Sequence, residues 1–82
     1  MPLMTYQPRD YAGMTNKQIE NWFNVTWKMV CGGLQNSNPE EDFSLQKRIL
    51  ELHAMARECK NRPKLQYIVI CVEKLGANEN AT

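Results

Sequence analysis

Three cysteines and one histidine, Cys31, Cys59, Cys71 and His53, are the side chains that could hold a metal or supply a nucleophile with its base. Structural zinc sites are built from tightly spaced ligand pairs, and none of these residues is paired in that way. His53 and Cys59 are six apart, so on a helix they point to different sides. A Cys–His catalytic pair would also lack a third group to orient the imidazole, and Cys59 and Cys71 lie in apolar sequence, where a thiolate is disfavoured. Glu40-Glu41-Asp42 is an acidic run that a helix N-terminus already explains through its dipole. Gly32-Gly33 follows a helical pattern, whereas a phosphate-cradling glycine loop precedes one. The expectation is therefore no catalytic residue, no cofactor and no metal, with the cysteines acting as small apolar side chains.

A second chemistry is phosphate binding. Arg57, Lys60, Arg62 and Lys64 cluster around one predicted junction and could contact a nucleic-acid backbone. The formal net charge of the whole chain is only +1, which argues against a protein dominated by nucleic-acid or anionic-membrane attraction.

Three helices must position these residues, and the expected fold is an all-α, compact three-helix bundle with an N-terminal arm. Residues 1–14 carry two prolines, a glycine and two tyrosines without periodicity and read as an extended arm whose Tyr6 and Tyr11 pack on the bundle. The helical domain spans 15–76 and a flexible polar tail 77–82. Helix 1, about 15–31, opens on the capping box Thr15-Asn16-Lys17-Gln18 and should stop at Gly32-Gly33 in a left-handed cap. Its apolar face is Ile19, Trp22, Phe23, Thr26, Met29 and Val30 at ~100° per residue. Helix 2, about 38–60, is expected to start within Ser37-Asn38-Pro39-Glu40. Leu45, Ile49, Leu52, Ala56 and Cys59 form its main stripe, and Phe43, Leu50 and Ala54 a second one on the far side. Asn61-Arg62-Pro63 breaks the chain before helix 3, about 63–75, which Gly76 should close. The Ile68–Val72 run also suits a buried strand, but the flanking proline and glycine and the lack of a partner strand favour a helix.

Gln18-Ile19-Glu20-Asn21-Trp22-Phe23 resembles the start of a homeodomain recognition helix. That family carries its base-reading asparagine and basic residues shortly afterwards, where this chain has Val25, Thr26 and Trp27. Only about fourteen residues precede the helix, too few for the two earlier helices of that fold. The six-residue match is therefore expected to be a coincidence.

The apolar segment Leu65–Leu75 is hydrophobic almost all the way round, more than a chain of 82 residues is expected to cover alone. This points to a small non-enzymatic protein–protein interaction module: a regulator, inhibitor or adaptor of the kind a phage, virus or bacterium encodes as an accessory protein. Another protein, or a second copy in a homodimer, would meet Trp27, Phe43, Leu50, Ala54, Tyr67 and Ile70. Tyr67, Ile70 and Cys71 should form the outer side of helix 3, to be covered by the arm or by another chain. The alternative is a nucleic-acid-binding regulator using Arg57, Lys60, Arg62 and Lys64. No membrane partner and no small-molecule substrate are expected. Three cysteines without paired spacing and no signal-peptide pattern point to a cytoplasmic protein with reduced thiols.

Overall fold

A computed structural model describes residues 6–36 and 42–80, with side chains described as far as Gly76. It is an all-α three-helix bundle: α1 (Asn16–Asn36), α2 (Phe43–Cys59), a 3₁₀ turn (Pro63–Leu65) and α3 (Gln66–Asn80). The Leu65–Leu75 segment is thus helical. Both α1 and α3 pack against α2, while the backbones of α1 and α3 stay farther apart.

The start of α1 follows the expected chemistry. The Gln18 amide donates to Thr15 Oγ1 at 3.1 Å, and the Thr15 amide donates to Gln18 Oε1 at 2.8 Å. Its end does not. The helix continues through Gly32 and Gly33 to Asn36, and no glycine among the described residues adopts a positive φ. The reason lies across the interface: a Cβ on Gly33 would sit 2.8 Å from Leu45 Cδ1. Gly33 is an approach point between α1 and α2, not a stop. Leu34, one turn beyond Val30, extends the apolar stripe onto the core.

Helix α2 begins at Phe43 and not near Asn38. Asp42 is its N-cap, with extended backbone and a carboxylate that accepts from the Leu45 amide at 3.0 Å. The Ser37–Glu41 capping sequence, with Glu40 and Glu41, lies outside the described residues. At the other end Lys60, Asn61 and Arg62 donate their amides to Ala56, Glu58 and Cys59. Arg62 then turns extended, as the residue before a proline must. The Gln66 side-chain amide donates to the carbonyls of Cys59 at 2.8 Å and Arg62 at 2.9 Å, closing the corner. Helix α3 proper starts at Gln66 and passes through Gly76 to Asn80, so Gly76 does not close it and the backbone of the expected tail is helical that far.

The core joins Ile19, Phe23 and Val30 of α1 to Leu45, Leu52, Met55 and Cys59 of α2. From the 3₁₀ turn and α3 come Leu65, Ile68 and Val72, and from the arm Tyr11. Burying each large side chain contributes ~1.5–3 kcal/mol, which offsets the entropy of ordering a chain this short. Met29, expected on this face, is exposed: it lies at the edge of the α1 stripe, about 120° round from Phe23 at the helical angle.

Candidate interaction surfaces

The expected partner residues do not gather into one patch. Trp27 is half-buried with its ring 5.4 Å from Phe23, and Tyr67 meets the same Phe23 ring edge-on at 6.3 Å. The Tyr67 hydroxyl donates to Glu20 Oε2 at 2.7 Å, so this side chain bridges α3 to α1. Burial, with this hydrogen bond, pushes its pKa up to about 12. Ile70 stands free at 52% exposure, and Cys71 is half-buried against the core. The described residues of the arm pack elsewhere, on Glu51 and Trp22. Phe43 is 56% exposed, with the Lys47 ammonium 4.8 Å above its ring. Ala54 is half-buried against the core and is not part of a free stripe.

Leu50 faces a different feature, a trough of about 430 Å³ between α2 and α3. Its floor is apolar: Leu50 and Ala56 from α2, Val69 and Val72 from α3, with Gly76 at one end. His53, Arg57 and Lys60 line the α2 wall and Glu73 the α3 wall, and all four are exposed. The trough is open to solvent along this charged rim, unlike an enclosed small-molecule pocket.

The basic junction is divided by the fold. Arg57 and Lys60 belong to the trough and Lys64 is exposed on the 3₁₀ turn. Arg62 is committed to holding the arm. Its Nε donates to Glu58 Oε2 at 3.0 Å and Nη1 to Asn16 Oδ1 at 2.9 Å. Its Nη2 donates to the carbonyls of Tyr11 and Ala12, each at 3.2 Å. A planar fork that reaches four acceptors on three segments is a structural clamp.

Glu51 is the residue that sequence patterns did not single out. It is only 3% exposed, and its carboxylate accepts from the Tyr6 and Tyr11 hydroxyls and from the Arg9 amide at 3.3 Å. Trp22 Nε1 donates to the Tyr11 hydroxyl at 2.9 Å, completing the chain. These bonds satisfy the buried carboxylate, which would otherwise be costly. Burial raises the Tyr11 pKa, aided by the bond to Glu51. For Tyr6 the hydrogen bond to Glu51 is the larger cause of a raised pKa, followed by burial. The expectation that both tyrosines pack on the bundle is met, with Tyr11 in the core and Tyr6 half-buried. Beside them Arg9, Lys47 and Arg48 surround a smaller hollow of about 230 Å³, with the Arg9 guanidinium 4.7 Å over the Trp22 ring. The only available signal in the sequence was a carboxylate flanking the core residues Leu52 and Met55, together with an arm whose tyrosines lacked a partner.

Among the described residues no group of three or more His, Cys, Asp or Glu side chains converges. His53 is exposed, whereas Cys59 is buried and its thiol pKa is raised by burial. No helix among the described residues is long and apolar enough to cross a membrane. Set beside protein-family profiles, curated proteins and solved structures, the chain matches none of them.

Proposed function

We propose that the chain is a small non-enzymatic interaction module, a regulator, inhibitor or adaptor that binds another protein or a second copy of itself. The observation that carries this reading is a closed core with large apolar side chains left outside it. Val25, Met29, Phe43, Tyr67 and Ile70 are 41–56% exposed, while Ile19, Leu52, Met55, Cys59 and Ile68 are wholly buried. Ile68, Val69, Val72 and Leu75 of α3 are covered by their own chain; among the described residues the apolar surplus lies at a few outward positions on each helix. Such positions serve as contact points when a partner desolvates them.

The test is paired capture from the native host, together with light scattering, using the wild type and a Phe43→Asp/Ile70→Asp variant. Both residues are more than half exposed, so the variant keeps the core. A partner or second copy that binds the wild type and is lost from the variant supports the reading; a wild type that captures nothing and stays monomeric at high concentration refutes it. The alternative, a nucleic-acid-binding regulator, rests on Arg57, Lys60 and Lys64 alone, because Arg62 is occupied by the arm. Retention on heparin that falls steeply with salt would favour it.

A further inference from the structure

We propose that the α2–α3 trough is a docking site for one amphipathic helix of a partner protein, apolar along its centre and acidic along the flank that faces α2. This rests on the interaction-module reading and names the partner's chemistry.

The first support is spacing. Phe43, Gln46, Leu50, His53, Arg57 and Lys60 follow one another along α2 at alternating intervals of three and four. That is the repeat with which one helix packs lengthwise against another. On α3, Val69, Val72 and Gly76 repeat the same intervals across the trough. The hollow lies between the Leu50–Lys60 part of the first row and the second row, whose Val69 and Val72 are only 8% and 2% exposed and form its floor, a seat of the kind a fourth helix takes in a bundle. Small residues on the floor allow close approach: Ala56 on α2 and Gly76 on α3, where an added Cβ would meet nothing within 4 Å.

The second support is charge. Arg57 and Lys60, beside His53, form a cationic wall, and among the described residues neither Arg57 nor Lys60 has a carboxylate within ion-pair distance. Glu73 lies on the opposite wall. An occupant with acids toward α2 and a cation toward Glu73 would be held in one orientation, in the manner of flanking charges in paired helices.

The same charge pattern argues against a second copy in this trough. Helix α1 carries one acid, Glu20, which accepts from Tyr67. In α2, Glu51 is buried under the arm and Glu58 is paired with Arg62. Glu73 of α3 is part of the trough itself. Among the residues whose side chains are described, no helix of this chain offers an acidic flank beside an apolar stripe.

The experiment is fluorescence anisotropy at low salt with a labelled synthetic helix of about 18 residues, roughly 27 Å long, carrying leucines at alternating three- and four-residue intervals flanked by glutamates. A peptide with lysine flanks is the control. The glutamate peptide should bind at least about tenfold more tightly than the lysine peptide, and Arg57→Glu/Lys60→Glu should weaken it about tenfold. Gly76→Leu should abolish binding by filling the floor; glycine is a poor helix former, so this variant keeps a folded α3, checked by circular dichroism. No binding of the glutamate peptide, equal binding of the lysine peptide, or indifference to both variants would overturn the proposal. If the peptide fails while Phe43→Asp/Ile70→Asp still strips a partner, the trough assignment falls and the interaction module stands.

Discussion

Replacing Gly32 with alanine should stabilise the protein, and the neighbouring Gly33→Ala should not. Gly32 lies inside α1 with no positive φ, and a Cβ there meets nothing within 4 Å. Alanine is about 1 kcal/mol better than glycine within a helix. For a domain of this size that corresponds to a rise in Tm of about 4–8 °C. Gly33→Ala gains the same ~1 kcal/mol but drives a methyl to 2.8 Å from Leu45 Cδ1, and Leu45 is itself buried. Overpacking of this kind costs about 1–3 kcal/mol, so the net change should lie between roughly neutral and 2 kcal/mol of destabilisation. Thermal unfolding followed by far-UV circular dichroism measures both variants side by side. A fall in Tm for Gly32→Ala would mean that the helix ends there in a left-handed cap, where alanine is strained. Equal stabilisation by both would mean that Leu45 does not press on α1 at Gly33.

Three further outcomes follow from the arm, the tyrosines and the thiols. Arg62→Ala should cost about 2 kcal/mol by removing charged hydrogen bonds and should speed tryptic cleavage after Arg9; Arg62→Lys should restore little, because an ammonium cannot reach four acceptors as the planar fork does. The pKa values of Tyr6, Tyr11 and Tyr67 are raised above 10.0, so the fold favours the neutral phenols; their contribution is complete below pH 10.0 and is lost as pH climbs through the folded values, about 12 for Tyr67. Urea midpoints should therefore fall above pH 10.0, less steeply in Tyr11→Phe, and a flat profile would contradict the Glu51 cluster. In a thiol-labelling time course read by mass spectrometry, Cys31 and Cys71 should react in the folded protein and Cys59 only on unfolding.

The parts of this fold that were legible in the sequence are those decided within a few residues. Thr15 and Gln18 satisfy each other across three positions, and Pro63 constrains its own neighbour Arg62, so the start of α1 and the α2–α3 corner could be read directly. For Leu65–Leu75, periodicity alone does not separate helix from strand; the flanking proline and glycine and the lack of a partner strand favour the helix that is found. Gly32 and Gly33 misled because local propensity marks them as a stop, while the fact that decides their role is a leucine arriving from another helix. Gly76 misled in the same way: α3 runs through it to Asn80 with no positive φ. Asp42 was hidden by a better-looking capping sequence upstream. Among the candidate contact residues, exposure of Phe43, Tyr67 and Ile70 followed from their angular position, whereas Ala54 is partly covered by packing that no helical wheel contains. Arg62 looked like one member of a basic patch until its partners, up to 51 residues away, were in view.

The clamp and the buried carboxylate also fix an order of events during synthesis. Tyr6 and Tyr11 are made first, but Glu51 lies 45 and 40 residues downstream, and the arm's second anchor is Arg62. At about 5–20 residues per second, the tyrosines wait roughly 3–10 s for the residues that receive them. Docking the arm before the helices meet would close a loop of forty-odd residues, about 2 kcal/mol more costly in entropy than closing a turn of a few; once α1 lies against α2 only a short link remains to close. The arm therefore joins last, onto helices that have already met, and on unfolding it should be the first segment to leave.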